Sequence, residues 1–472
     1  MKPTLPFFLD QSLKSPLAGQ IYSGIRDAIS DGVMQAGSRM PSWKDLAVQL
    51  GVSRGTVRVA YERLIDEQLI VSRGPAGTWV AEHSFGGKPS APTAVRPPLP
   101  QLFYDFGTVP LPFQMGVPSQ DAFPFKLWSR LMARSARIAA ASPVSYPDPR
   151  GDIDLRKEIA AYLAIARNLH CNPSQVIVTA GFSGALGLIA GALRLEGRIA
   201  WFEEPGFPLT RIALAHLGVD VRAVPVDADG LSVAKGRQVA GEATLALVTP
   251  GQQAPLGVTM SASRRHELLE WAGERDAWII EDDYLGELQL QGRAAPALAS
   301  ADKNGHVLHI GTFSKTISPS LRLGFLVVPV RAAELFGEVA ACLAPSPNSA
   351  VQCAVTEFMA DGHYLRHLRR MKRLYRFRQI DVANRLDKLF GRPVHRISGL
   401  SVRLDLPDTF DDAKAVLEAL PFGLAPVPLS PWYMGDTRRK GLLLGITNVH
   451  ERNAEKSCER LYRLIASRIN PV

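Results

Sequence analysis

The stretch GTFSKTISPSLRLG, residues 311–324, follows a short apolar run and sets one lysine among small hydroxyl side chains. Lys315 stands between Ser314 and Thr316, and Arg322 follows seven residues later. A lysine amine acts as a nucleophile by forming a Schiff base with a carbonyl compound, and an arginine suits an anionic group. The stretch therefore predicts a cofactor-binding lysine, provided that complementary groups lie elsewhere in the chain.

Short apolar runs surround this stretch and alternate with helix-like segments. The runs span residues 176–181, 198–204, 244–250, 277–283, 306–311 and 324–329. Near-continuous apolar strands are typical of a sheet that helices cover on both faces. The pattern predicts an α/β domain with a mostly parallel sheet, whose ligands bind at the carboxyl ends of the strands.

Length and composition define the class of protein. The chain has 472 residues, so we expect more than one domain, and its net charge of +9 and pI of about 9.4 suit a polyanionic partner without proving one. The four cysteines lack metal-ligand spacing and suggest no disulfide framework, so we expect no metal site and a cytoplasmic location. Residues 171–193 carry no charge, but Pro173, Gly181 and Gly184 favour a strand, a turn and a helix over a membrane span.

A segment rich in proline and glycine, GGKPSAPTAVRPPLPQ at residues 86–101, has the composition of a linker. It predicts a small domain at residues 14–83, a linker at 84–103 and a large domain at 104–472.

The small domain has the pattern of a winged helix-turn-helix. An apolar stripe on Leu17, Ile21, Ile25 and Ile29 predicts one helix, and residues 40–70 predict two more around a glycine turn. Residues 71–80, VSRGPAGTWV, predict a β-hairpin. The fold class is therefore a small α+β domain joined to the large α/β domain.

The start of the second predicted helix of the turn is suited to DNA. Arginine binds guanine edges or phosphates, and a helix N-terminus favours phosphate. The exposed groups there are Ser53, Arg54, Gly55, Thr56 and Arg58, and Arg73 lies on the wing. A generic three-helix module with a solvated charged face explains the same periodicity equally well.

In the large domain, polar residues at strand ends complete a site for pyridoxal 5'-phosphate (PLP). That cofactor needs a lysine, an acid at the pyridine nitrogen, a phosphate cradle and an aromatic ring over its own. Asp282 in IIEDDY suits the ring nitrogen, Tyr284 the ring oxygen, and Phe207 the ring face. The turn GFSG at 181–184, with Thr312, Ser314 and Arg322, suits the phosphate. Taken singly, the glycine turn and Phe207 are as well explained by ordinary packing.

Over residues 14–83 the chain resembles the GntR family of winged-helix regulators. PLAGQIYSGIRDAI, MPSWKDLA, GVSRGTVRVAYERL and GPAGTWV match the family pattern in order. The resemblance implies an operator DNA partner, contacted by Lys44, Ser53, Arg54, Gly55, Thr56, Arg58, Arg73 and Gly74.

The large domain resembles the aspartate-aminotransferase fold, fold type I of the PLP enzymes. GFSG, EEPGF, TPGQQAPLG, EDDY and GTFSK…LRLG appear in the family order. Together with the small domain, the chain resembles the MocR-type regulators. The resemblance implies PLP bound as an imine on Lys315, with the roles above for the other residues, and Tyr146 reaching the phosphate of a neighbouring subunit in a head-to-tail homodimer.

Three departures concern the glycine turn and the substrate side of the site. Phe182 stands where a hydroxyl is usual, so we expect Ser183 to replace it. Ala254 replaces an asparagine, and Leu443 stands about where aminotransferases carry the arginine for the substrate carboxylate. The cofactor-holding set is intact and the substrate-holding set is not, which favours a sensor with at most weak transaminase activity.

Three hypotheses follow. The first is a PLP-dependent transcriptional regulator that senses an amine, an amino acid or PLP itself. The second is a catalytic aminotransferase with an accessory DNA-binding domain. The third is a DNA-binding dimer whose large domain holds no cofactor, against which Lys315, Asp282, Tyr284 and Arg322 argue.

Overall fold

The computed structural model describes residues 9–10, 15–82, 109–141, 145–290, 292, 294–391, 393, 395–435 and 438–469. The chain divides into two compact units, Met1–Leu99 and Pro100–Val472. The predicted linker, 84–103, lies outside the described residues, as do residues 14 and 83 at the predicted limits of the small domain.

The small unit has three helices followed by a two-stranded antiparallel hairpin. Its elements are α1 (Leu17–Ser30), α2 (Trp43–Leu50), α3 (Arg54–Asp66), β1 (Ile70–Ser72) and β2 (Thr78–Val80). The predicted winged helix-turn-helix is confirmed, with α2 and α3 as the paired helices and the β1–β2 hairpin as the wing.

Local sequence explains where α2 and α3 begin. The Ser42 hydroxyl caps α2 by accepting a hydrogen bond from the amide of Asp45 at 3.1 Å. The Ser53 hydroxyl caps α3 in the same way, from the amide of Thr56 at 3.1 Å. Between the helices, Gly51 has a φ of 66°, a left-handed conformation that glycine adopts without strain. These residues fix the start of α3 next to an exposed turn.

The core of the small unit lies between the three helices. Ile21, Ile25, Leu46, Val57 and Leu64 are fully buried and form one cluster. The apolar stripe predicted on α1 therefore faces inward. The opposite side of α3 remains exposed for a partner.

The large unit contains a sheet of eight strands. They are β3 (Val176–Thr179), β4 (Ile199–Glu204), β5 (Asp220–Asp227), β6 (Gly230–Leu231), β7 (Leu245–Val248), β8 (Trp278–Asp282), β9 (Val307–Thr312) and β10 (Gly324–Val327). Their spatial order is β3-β10-β9-β8-β7-β4-β5-β6. Strands β5, β4, β7, β8 and β9 are parallel, β10 is antiparallel to both neighbours, and β6 is antiparallel to β5. The predicted mostly parallel sheet is confirmed.

A second, antiparallel sheet and the helices complete the large unit. The sheet has the order β11-β12-β14-β13, from the strands β11 (His395–Ser398), β12 (Ser401–Leu406), β13 (Val427–Pro428) and β14 (Lys440–Gly445). The helices are α4 (Phe125–Ala141), α5 (Ile153–Arg167), α6 (Gly181–Leu193), α7 (Pro208–His216), α8 (Val233–Val239), α9 (Ala262–Arg275), α10 (Ala333–Leu343), α11 (Ser349–Ala360), α12 (His363–Phe390), α13 (Asp412–Ala419) and α14 (Glu451–Ile469).

Both faces of the main sheet are buried. Trp201 and Phe202 are neighbours on β4, yet they pack into different apolar clusters because successive side chains of a strand point to opposite faces. On one face, Trp201 stacks on Trp271 of α9 with ring centroids 3.9 Å apart. Coverage on both faces explains the near-continuous apolar strands in the sequence.

The uncharged segment 171–193 forms strand β3 and helix α6, as predicted. Helix α6 is apolar because it packs into the cluster on one face of the main sheet. In the described part of the chain, no helix is both long enough and apolar enough to span a bilayer.

The topology places the carboxyl ends of the parallel strands at one edge of the sheet. Strand β4 ends at Glu204, β8 at Asp282 and β9 at Thr312. Polar side chains at and just beyond these ends therefore meet, as expected for a ligand site in an α/β sheet.

Candidate functional site

Lys315 lies just beyond the end of β9, in the segment that leads to β10. Its Nζ donates a hydrogen bond to the carbonyl oxygen of Gly116 at 2.9 Å. Burial lowers the pKa of its ammonium group, and the carboxylate of Asp282 partly opposes that shift. A lowered pKa favours the neutral amine, which is the nucleophilic form. The sequence could not indicate Gly116, because any residue supplies a backbone carbonyl.

Asp282, at the end of β8, is the acid that faces this lysine. Its Oδ1 is buried and has no hydrogen-bond partner among the described residues. Burial raises the pKa of Asp282 to about 7, with further increases from Asp283 and Glu203 and opposing effects from Lys315 and His309. A buried acceptor without a donor is costly, so this oxygen is suited to a ligand that brings an N–H group.

The two carboxylates that flank Asp282 are already paired. Glu281 lies 2.9 Å from Nδ1 of His309, and Arg167 donates two hydrogen bonds to Asp283, at 2.7 and 2.9 Å. Both pairs are buried. Asp282 is therefore the member of the EDD triplet that remains available for a ligand. The sequence did not reveal these partners, because Arg167 is 116 residues from Asp283.

Glu203 is a second buried acid near Asp282, and the sequence analysis missed it. It accepts hydrogen bonds from the amide of Thr249 at 3.0 Å and from the Gln253 side chain at 3.2 Å. Burial raises the pKa of Glu203 to about 7, and these bonds oppose the rise. Tyr284 lies beside both acids, and burial and then Asp282 raise the pKa of its phenol. The phenol therefore stays protonated and can donate a hydrogen bond.

The two parts of the predicted phosphate cradle lie together. Arg322 Nη2 donates to the carbonyl of Ala180, the residue before the GFSG turn, at 3.4 Å. Gly181 has a φ of 73°, and a Cβ on Gly324 would stand 3.0 Å from the Gly181 Cα. Only glycines permit this approach of β10 to the turn. Thr312 is buried at the end of β9, and Ser314 is half-buried next to Lys315.

The remaining cofactor candidates have different surroundings. The side chain of Phe182 packs against the apolar cluster of α6, so only its amide faces the turn. Ser183 is exposed in the first turn of α6. Tyr146 is fully exposed, so it has no role in the site of its own chain.

An apolar cluster surrounds Leu443, the residue predicted to stand near the position of the substrate-binding arginine of aminotransferases. Leu443 is fully buried on β14, in a cluster with Ala254 and Trp432. Phe207 and Tyr284 pack against the same cluster, which places it beside the predicted cofactor. Phe207 lies 5.4 Å from Trp432, measured between ring centroids.

A charged pair that the sequence analysis missed lies next to this cluster. Glu204 Oε1 accepts from the amides of Met434 and Gly435 at 2.7 and 3.0 Å, whereas its Oε2 is buried without a partner among the described residues. Arg211, one helical turn beyond Phe207, has a buried Nη1 that likewise lacks a hydrogen-bond partner there. Burial lowers the pKa of this guanidinium, and Glu204 opposes the shift. Each of these oppositely charged groups has one buried atom without a partner in the described chain, and such atoms suit a ligand with polar atoms.

The predicted DNA-binding residues of the small unit are mostly exposed, with Thr56 half-buried. The Ser53 hydroxyl is used as the helix cap. Arg58 pairs with Glu62 at 2.8 Å and Arg73 with Glu82 at 3.3 Å. The remaining exposed residues of the predicted set are Lys44, Arg54, Gly55 and Gly74. Arg54, at the first position of α3, has no carboxylate partner within the described residues.

Comparison with family models divides the chain in two. The model of bacterial regulatory proteins of the gntR family matches residues 17–80, and the model of class I and II aminotransferases matches residues 119–403. Among solved structures, an archaeal alanine:glyoxylate aminotransferase superposes with a TM-score of 0.70 and 24% identity, over 77% of this chain and 92% of the other. That likeness concerns the fold.

Similar curated proteins combine both parts in one chain. The probable rhizopine catabolism regulatory protein MocR of Rhizobium meliloti is 37% identical over 79% of this chain and 77% of its own length. The pyridoxine biosynthesis transcriptional regulator PdxR of Corynebacterium glutamicum is 31% identical over 94% of this chain and 95% of its own. The chain belongs to the MocR-type subfamily of GntR transcriptional regulators, in which a winged helix-turn-helix is joined to an aminotransferase-like domain of fold type I.

Proposed function

We propose that this transcriptional regulator binds PLP at Lys315 and uses it to detect an amine that carries an anionic group. The observation that carries the proposal is the buried Asp282 oxygen, unpartnered among the described residues, facing a lysine of lowered pKa. A pyridine N–H satisfies that oxygen, and a neutral lysine amine attacks a carbonyl. Bound PLP would supply an electrophilic carbonyl and an electron sink.

The residues at the sheet edge fit this cofactor. Asp282 holds the ring nitrogen, Tyr284 donates to the ring oxygen, and Phe207 covers one ring face. The phosphate is bound by Arg322, Thr312, Ser314, Ser183 and the backbone amides of the GFSG turn. The exposed Tyr146 reaches the phosphate site of a second copy, which makes the working unit a head-to-tail homodimer.

The effector side of the pocket favours an amine with a second, anionic group. Its lining of Leu443, Ala254 and Trp432 supports an apolar spacer, and the Arg211 Nη1, unpartnered in the described chain, suits a carboxylate or sulfonate. Glu204 Oε2 accepts a hydrogen bond from the same ligand. PLP itself as effector would leave both groups unsatisfied.

This arrangement supports sensing over transamination. Repeated transamination needs substrates to enter and leave in two half-reactions, with the carboxylate held beside the reacting carbon. The buried Leu443 cannot provide that anchor. An effector changes the operator affinity only if it binds two arrangements of the protein with different affinities.

Replacement of Lys315 tests the cofactor proposal. Lys315→Ala should abolish the near-ultraviolet and visible absorption of lysine-bound PLP, because no other amine occupies that position. The measurement is an absorption spectrum of the purified protein after incubation with PLP and gel filtration. Lys303→Ala, at an exposed lysine before β9, is the matched control and should retain the band. An unchanged spectrum of Lys315→Ala would place the cofactor on another lysine.

The pH dependence of the cofactor-free protein tests the environment of Asp282. Its pKa is about 7 when folded, against 3.8 ordinarily. Between these values the unfolded chain loses this proton and the folded chain keeps it, so stability falls as the pH rises from about 4 to about 7. Asn has no proton to lose in this range, so Asp282→Asn should make the decrease in the free energy of unfolding smaller by up to about 4 kcal/mol. Thermal unfolding across this pH range measures it, with the exposed Asp276→Asn as control. Equal pH dependence in wild type and Asp282→Asn would contradict the buried, unpaired carboxyl.

Arg54 tests the DNA-binding face. Arg54→Ala should weaken operator binding by roughly 1–3 kcal/mol if the arginine reads a base, with reduced preference for the operator over random DNA. Arg26→Ala is the control, because it removes the same charge at a site away from the start of α3. Arg26 lies over the ring of Tyr22, whose hydroxyl contacts Glu67 just past the far end of α3. The control variant should bind the operator nearly normally. Fluorescence anisotropy with an operator duplex selected from a random library measures both. Equal decreases in affinity for the two variants would exclude a specific role for Arg54.

A further inference from the structure

The positive charge of this DNA-binding protein is not concentrated on its DNA-binding unit. Residues 15–82 contain seven lysines and arginines and seven aspartates and glutamates, so the part of the small unit that holds the winged helix-turn-helix has no net charge. Helix α12 of the large unit contains nine lysines and arginines and only two aspartates. That one helix supplies a net +7, while the whole chain carries +9.

The cations of α12 are arranged on one face. The basic stripe consists of the exposed side chains Arg366, Arg369, Arg370, Arg373 and Arg376. Spacings of three and four residues place them on the same side of a helix, over about 15 Å from the first to the last. The opposite side is buried, through residues that include Tyr364, Met371 and Tyr375. The stripe is therefore a continuous exposed surface.

Nothing in the described chain neutralises the stripe. Residues 363–380 contain no aspartate or glutamate, and no ion pair found in the described residues involves the five arginines. Arg366 donates to the carbonyl of Asp361 and contacts His363, but neither is a carboxylate. By contrast, Arg463 on helix α14 has a carboxylate partner on its own helix, Glu459. Like charges at this spacing repel and destabilise a helix, so the arrangement favours an external polyanion.

We infer that the basic stripe of α12 is a second DNA-contacting surface, which binds the phosphate backbone of duplex DNA held by the small unit. Duplex DNA carries one negative charge per about 1.7 Å of its axis, so a stripe of this length meets several phosphates. Phosphate contacts add affinity without reading sequence. The winged helix-turn-helix would then recognise the DNA sequence, and helix α12 would add affinity for the phosphate backbone. The inference rests on DNA binding by the small unit and concerns the large unit alone.

The test compares two full-length variants in which the same number of positive charges is removed. One carries Arg369→Gln, Arg370→Gln, Arg373→Gln and Arg376→Gln. The control carries Arg452→Gln, Lys456→Gln, Arg460→Gln and Arg463→Gln on α14, where exposed cations alternate with Glu451, Glu455 and Glu459. The probe is a random-sequence DNA duplex, and fluorescence anisotropy gives the affinity of each protein over a series of salt concentrations.

The stripe variant should bind random duplex at least tenfold more weakly at low salt. Its plot of log affinity against log salt should be less steep, by roughly 0.9 for each phosphate that the variant no longer neutralises. An affinity and slope equal to those of the α14 control would overturn the inference. So would a change of oligomeric state in sedimentation, since the stripe would then bind a second copy of the chain. Arg54→Ala should show the reverse pattern, with the preference for the operator reduced and the salt dependence of random-duplex binding nearly retained, so the proposal for the small unit and the inference for α12 can fail independently.

Discussion

A buried carboxylate facing a lysine is the constraint on which the functional site depends. Asp282 lies at the end of β8 between two other acids, which are paired with His309 and Arg167. The Oδ1 of Asp282 has no hydrogen-bond partner in the described chain. Burial shifts the pKa of Asp282 upward and that of Lys315 downward, which brings both groups toward their neutral forms. A cofactor with a ring N–H and a carbonyl satisfies both at once. The surrounding fold brings the end of β8 and the segment just beyond β9 to the same edge of the sheet.

Much of this arrangement could be predicted from sequence. Six apolar runs correspond to six of the eight strands of the main sheet, and hydroxyl caps mark the starts of α2 and α3. Strand β5 was missed because it is half-exposed and carries polar residues. The second sheet was missed as well, although its β11 and β12 form a local hairpin with Ser398 opposite Ser401. Gly116, Glu203 and Arg211 were missed for a different reason. Their roles come from what surrounds them in space, which no local pattern encodes.

The DNA-binding fold and the most basic helix of this protein lie in different units. Residues 15–82, which form the winged helix-turn-helix, have the geometry to read DNA but no net charge, whereas helix α12 of the large unit carries a net +7. Within that unit, Asp282, Thr312 and Lys315 lie at one edge of the sheet, whereas the predicted place of a substrate-binding arginine is taken by the buried Leu443. Both features support the two proposals for the large unit: that one surface contacts a polyanion, and that the pocket binds a ligand without processing it.

The most direct test of the central claim is a titration of the PLP-loaded protein with pairs of amines that differ only in an anionic group. Absorbance, operator affinity and keto acid release are measured on the same samples. The account predicts that the anionic amines alone shift the absorbance and the operator affinity together, with no keto acid formed. Stoichiometric keto acid, with operator affinity unchanged, would contradict it and make the protein an aminotransferase first.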